Sequence, residues 1–152
     1  MKIEQAVADD AEEIYAVQLR HFAGEPELSA IQKMENAWSL KQSLKTRIWL
    51  KAVWGNATIA GVTRGQDRGQ IVYVDVLWVP DSARRSSLCV RLLRELEGRF
   101  PDRATFHARA AHRDAKRFDV YKKAGYLPLY EERKENGLLL RLYEKRLPDP
   151  QT

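Results

Sequence analysis

Leu77-Trp78-Val79-Pro80, followed after three residues by Arg84-Arg85-Ser86-Ser87-Leu88-Cys89, is the stretch on which the fold turns. Residues 70–79 read as one long strand that Pro80 ends, since proline donates no ladder hydrogen bond. By strict alternation one face carries Val72, Val74, Val76 and Trp78, and the other Ile71, Tyr73, Asp75, Leu77 and Val79. A strand apolar on both faces belongs at the centre of a sheet covered on both sides. Residues 84–99 then form an amphipathic helix with Leu88, Leu92, Leu93 and Leu96 on its inner face. A helix start carries partial positive charge and normally attracts acids. Here Asp81 precedes it, but the first turn holds two arginines and two serines. Such a start suits an anion docked on the free backbone N–H groups, which Ser86 and Ser87 leave approachable. A solvated basic turn with serine as a helix starter explains the same residues, and on this stretch alone the two readings balance.

The positive charge of the chain is concentrated around this stretch. The chain has 152 residues and a net charge of +5. Residues 84–117 hold ten Lys/Arg against four acids, so the rest is nearly neutral. The basic third implies a partner bearing phosphates: nucleic acid, an anionic membrane or a nucleotide cofactor. The length suits one domain, able to bury roughly two-thirds of the surface of its unfolded chain. No apolar run approaches the roughly 18 residues of a membrane span, and residues 1–10 do not read as a signal peptide. A lone cysteine, Cys89, forms no internal disulfide, so a cytoplasmic location is expected. Three separated histidines argue against a zinc site.

Outward from the central strand, residues 2–7 read as an opening strand. Asp9 or Asp10 caps a helix with Ile14, Val17 and Leu19 or His21 on its apolar side. Gly24-Glu25-Pro26 breaks it, and Ser29 caps a second helix with Ile31, Met34, Ala37 and Trp38 at helical spacing. Residues 47–54 and 57–63 form a hairpin about Gly55-Asn56. Residues 105–109 read as a short strand. Asp114 caps a helix to about Ala124, where Gly125 suits the C′ position. Residues 126–131 and 138–147 form a closing hairpin. The expected fold class is α/β (mixed α+β), in the order β-α-α-β-β-β-α-β-α-β-β. It forms one domain over residues 1–148, with a tail at 149–152 and helices on both faces of a mixed, mostly antiparallel sheet.

Leu77 and Val79, Pro80, Arg84, and then Asp114 with Tyr121-Lys122-Lys123-Ala124-Gly125-Tyr126 together resemble the GCN5-related N-acetyltransferase (GNAT) family. That family joins a Leu-x-Val strand end to Arg/Gln-x-x-Gly-x-Gly/Ala, and carries Tyr-x-x-x-Gly-Phe/Tyr further on. Ser87 and Cys89 stand where the family prefers glycine and Gly/Ala, and the loop before Arg84 is one residue longer. The closing segment Tyr143–Leu147 also resembles the ending of small, including phage-encoded, members.

The resemblance implies acetyl-CoA as acyl donor and an amine as acceptor. The pyrophosphate would lie on the N–H groups of Arg85, Ser86, Ser87, Leu88 and Cys89. The 3′-phosphate would lie near Arg84, Arg85, Arg113, Lys116 or Arg117. A bulge near Leu77-Trp78-Val79 would hold the pantetheine and polarise the thioester carbonyl. Asp114 stands at the family's polar position. Tyr121 would be the general acid for the departing thiolate, although a tyrosine packed near Phe118, Val120 and Tyr126 is the bland alternative. Asp75 is the first choice of base, because a mid-strand carboxylate needs a partner or a task. Its structural alternative is a buried pair with an arginine such as Arg109. His107 ranks below it, and His21 and His112 read as structural or surface residues. The acceptor would sit among residues 21–38, with Glu25 and Glu27, and the 128–137 hairpin. Trp38, Trp49, Trp54 and Trp78 either line that site or belong to the core.

Two other readings remain at this point: a nucleic-acid-directed protein using the basic 84–117 face, and a non-catalytic CoA-fold interaction module. A homodimer could form through the 138–147 strand.

Overall fold

The structure, a computed structural model, describes residues 1–23, 34–80, 85–111, 115–133 and 139–148. Strand β1 (Lys2–Gln5) leads through a short 3-10 turn to helix α1 (Ala11–Phe22) and helix α2 (Ala37–Thr46). Strands β2 (Ile48–Val53), β3 (Ile59–Asp67) and β4 (Ile71–Trp78) follow as a meander. Helix α3 (Arg85–Gly98), strand β5 (Thr105–Ala111), helix α4 (Ala115–Lys123) and strands β6 (Leu127–Arg133) and β7 (Leu139–Arg146) complete the chain. The seven strands form one sheet in the order β1-β2-β3-β4-β5-β7-β6. Among the described residues only β4 and β5 pair in parallel, with α3 in their crossover; the other pairs are antiparallel. The mixed, mostly antiparallel α/β class and the order of elements are as the sequence implies.

Two cores flank the sheet. On one face α3 and α4 pack Leu88, Leu92, Leu93, Leu96, Val120 and Tyr121 against Leu50, Val72, Val74 and Phe106. On the other, α1 and α2 pack Ile14, Val17, Leu40 and Leu44 against Trp49, Ile59, Val62, Val76 and Trp78. Thus Trp49 and Trp78 are core, while Trp38 is 72 % exposed and Trp54 40 %. In α1 the inward side chain is His21, and Leu19 faces out.

Three expectations change. The helix expected from Ser29 falls partly on residues outside those described; α2 covers residues 37–46, capped by the Asn36 side chain accepting from Ser39 N at 2.8 Å. The i, i+4 pair Leu40 and Leu44 supplies its apolar stripe, so Trp38 is turned outward. Strict alternation fails in β4, because Val72, Val74, Leu77 and Val79 share one core and Val76 and Trp78 the other. The 138–147 strand is no edge: β7 is paired on both sides, and β6 is the edge.

Candidate functional site

The alternation fails because β4 has one residue too many. Its register with β3 runs Gly65↔Val74 and then Arg64↔Val76, leaving Asp75 as an unpaired bulge residue. A bulge kinks its strand and resets which way side chains point. The irregularity is therefore at Asp75, rather than at Leu77–Val79 as the family pattern suggests.

Pairing of β4 with β5 runs from Ile71↔Thr105 to Val74↔Ala108 and goes no further. Both strands continue, β4 to Trp78 and β5 to Ala111, but β5 now pairs only with β7. The strands part at the bulge, at the carboxyl ends of a parallel pair, which is where open α/β sheets bind ligands. On the α3 side of this opening Leu77, Val79, Leu88, Cys89 and Tyr121 come together in one buried cluster. Gly61 on β3 permits this approach, since a methyl there would lie 2.8 Å from Val79 Cγ2.

The first turn of α3 has no acidic residue. Ser86 is half-buried and Ser87 exposed. Lys123 of α4 places its Nζ 3.4 Å from Ser86 Oγ and 3.1 Å from Asp119 Oδ2, so a lysine paired within its own helix borders the start of α3. A helix start without acids, small side chains and a neighbouring lysine fit a pyrophosphate. Arg84, Arg113 and Asp114 lie outside the described residues. For Arg85, Lys116 and Arg117 only the backbone is described, within α3 and α4.

Tyr121 owes its position to the way α4 ends. Gly125 has φ +95°, a conformation natural to glycine. Tyr126 N donates to Tyr121 O at 2.9 Å and Gly125 N to Lys122 O at 3.0 Å, the paired bonds of a Schellman ending. The ring of Tyr126 then meets that of Tyr121, centroids 5.7 Å apart, and Tyr143 lies on Tyr121 at 5.2 Å. The Tyr-x-x-x-Gly-Tyr spacing is thus a helix stop whose apolar contact is tyrosine on tyrosine. Tyr126 donates its hydroxyl to buried Glu97 at 2.9 Å, and burial, with Glu97 adding, pushes its ionisation far up.

Asp75 lies on the opposite face from Tyr121. Arg64 Nε reaches Oδ1 at 2.9 Å and Arg64 Nη2 reaches Oδ2 at 2.9 Å, with Arg47 Nη1 on Oδ2 at 3.2 Å. The expected alternative partner, Arg109, instead lies over Tyr73 and 3.9 Å from Glu132. Arg64 also donates to both oxygens of Glu35 and to Ser43 Oγ, and stacks on Trp49. Gln18 in turn clasps the backbone of Glu35. Beside Asp75, Tyr73 has its phenol pushed up, chiefly by burial. His107 Nε2 bonds Glu144 Oε2 at 2.8 Å, and that bond is the main cause holding the Glu144 carboxyl below its usual range. Among the described residues no cluster of three or more His, Cys, Asp or Glu could hold a metal ion, and no helix is long and apolar enough to cross a membrane.

Sequence reasoning passed over Arg64, Arg47, Glu35 and Glu144. The available signal was a charge inside an apolar strand, Arg64 facing Asp75 across a hairpin; Glu144 and His107 are too far apart in sequence to suggest each other.

A mixed sheet whose one parallel pair parts beside an acid-free helix start is an α/β fold with an opening suited to a phosphate-bearing ligand. Residues 19–147 match the family model described as an acetyltransferase (GNAT) domain, and the chain belongs to that family. Its acyl donor is acetyl-CoA. No curated protein matches the sequence. Among solved structures, the chain is similar to aminoglycoside 6′-acetyltransferase type Ii, at 18% identity and TM-score 0.80, over 99% of this chain and 100% of that one. It is similar to the aminoglycoside 6′-N-acetyltransferase from Enterococcus faecium, at 15% identity and TM-score 0.77, over 99% of each chain. It is also similar to yncA from Salmonella typhimurium, solved with its cofactor acetyl-CoA, at 14% identity and TM-score 0.78, over 98% of this chain and 95% of that one. At these identities the likeness is one of fold.

Proposed function

We propose that this protein moves an acetyl group from acetyl-CoA to a primary amine, on a small molecule or a protein, by direct attack in a ternary complex. The observation that carries this reading is the end of β4–β5 pairing at Val74↔Ala108, beside the acid-free start of α3. Bound acetyl-CoA would supply the activated thioester carbonyl. The N–H groups of Arg85, Ser86, Ser87, Leu88 and Cys89, with Lys123 near Ser86, would hold the pyrophosphate. The 3′-phosphate would fall to Arg84, Arg85, Arg113, Lys116 or Arg117, and Asp114 would take the polar position before α4. Backbone groups of Leu77, Trp78 and Val79 that β5 no longer pairs would hold the pantetheine and polarise the carbonyl. Tyr121 serves as the acid that protonates the departing thiolate, from the α3 side of the opening. Asp75, on the other face, receives the proton of the incoming ammonium, directly or through water. Donor and acceptor thus approach the opening from opposite faces of the sheet.

The test has two arms. Acetyl-CoA at high excess should raise the unfolding midpoint by mass action. Tyr121→Phe should keep that shift while CoA release with a panel of primary amines falls about 100-fold or more. No stabilisation by acetyl-CoA removes the donor from the account. Equal turnover by Tyr121→Phe removes the acid. Binding of DNA at moderate salt without competition from CoA would favour the nucleic-acid alternative.

A further inference from the structure

The two guanidinium groups on Asp75 are not equivalent. Arg64 engages both carboxylate oxygens, is tied to Glu35 and Ser43, stacks on Trp49, and its side chain is 9 % exposed. Arg47 makes one longer contact at 3.2 Å and its side chain is 37 % exposed. Among the described residues this is the only hydrogen bond of the Arg47 side chain, and Arg47 begins the segment just past the end of α2. Arg47 also borders a cleft of about 590 Å³, formed by the end of α2 (Thr46), the end of β3 (Gln66, Asp67) and the turn after α3 (Asp102, Arg103). Asp67, which Arg103 engages through Oδ1 at 3.1 Å, and Asp102 place carboxylates there beside Arg99 and Arg103, so a guanidinium leaving Asp75 has room and shares these acids with two other cations.

We propose that Arg47 is an exchangeable cover on Asp75. Its guanidinium holds the seat that the ammonium group of the acceptor takes, and it withdraws into the adjoining cleft when the acceptor arrives. The exchange replaces one cation by another, so no uncompensated charge is left at the half-buried carboxylate. Arg64 remains in place and keeps the bulge, while the solvent side of Asp75 changes partner. The inference rests on the acetyltransferase reading, because it requires an amine acceptor.

The test uses n-butylammonium chloride as a minimal acceptor and the full chain labelled with ¹⁵N. Titration should move the Arg47 Nε–H signal and leave that of Arg64 nearly unchanged. Arg47→Gln should bind n-butylammonium about 2- to 5-fold more tightly, the range expected for removing competition from a partly exposed ion pair. It should leave the acetyl-CoA titration as in wild type. Asp75→Asn should abolish the gain, so that Asp75→Asn/Arg47→Gln binds the probe no better than Asp75→Asn. The proposal is overturned if Arg47→Gln binds the probe equally or more weakly, or if the Arg47 signal does not respond. Failure of acetyl-CoA to stabilise wild type and variant alike would instead overturn the acetyltransferase reading, with the ammonium titration still reporting on the cover.

Discussion

Replacing Lys145 by methionine isolates the tie that holds the end of α4 to the rest of the domain. The Lys145 ammonium donates to Glu97 Oε1 at 2.8 Å and to Ala124 O at 2.6 Å, and lies over the Tyr126 ring. Glu97 is only 6 % exposed and has one further donor, the Tyr126 hydroxyl. Methionine keeps most of the aliphatic stem, so the loss is electrostatic: Glu97 keeps its burial without its cation. Removing one partner of a buried pair costs about 3–5 kcal/mol, and the partial exposure of Lys145 (15 %) places this case near the lower figure, about 3 kcal/mol. For a domain of this size each kcal/mol moves the midpoint by about 2–4 °C, so thermal unfolding followed by circular dichroism should shift by about 6–12 °C. The double variant Glu97→Gln/Lys145→Met removes both charges and keeps an acceptor for Tyr126, and should recover most of the loss. A single-variant loss below about 1 kcal/mol, or a double variant worse than the single, would refute the buried-pair account.

Gly125→Ala forces a side chain onto φ +95° and sets its methyl 3.3 Å from Lys145 Cε. The cost should be about 1–2 kcal/mol in urea unfolding, with loss of the Tyr121–Tyr126 arrangement seen as altered near-ultraviolet circular dichroism. For Glu144 the folded carboxyl lies below its usual value, chiefly because of His107. Its contribution is therefore present above the ordinary glutamate range and lost as pH falls through the lower folded value. Glu144→Gln should be less stable than wild type at neutral pH, with the gap closing in urea titrations taken to about pH 3. An unchanged gap would assign the loss to packing alone.

Much of the fold is legible because local periods carry it. Leu88, Leu92 and Leu96 at helical spacing, and the β4 run ending at Pro80, mark α3 and the central strand without reference to anything distant. The Gly125 stop is local as well, since its bonds span at most five residues. Helix α2 is less plain: Trp38 suggests an inner face one turn too early, and only Leu40 and Leu44 against Trp49 show which stripe is buried. The acid-free start of α3 could be read from charge, because helix-end electrostatics depend on a few adjacent residues.

The sequence by itself thus determined the order of elements, the helix start lacking acids and the tyrosine-glycine-tyrosine stop, since each depends on contacts a few residues apart. Tertiary structure alone decided what Asp75 faces. One extra residue in β4 turns the face pattern over, sets Asp75 against Arg64 rather than Arg109, and ends pairing with β5. Strand register depends on the sum of contacts across the sheet, and a bulge alters it without any local mark in composition. The same holds for His107 with Glu144 and Lys145 with Glu97, pairs joined only because β7 lies beside β5 and α4 ends over α3.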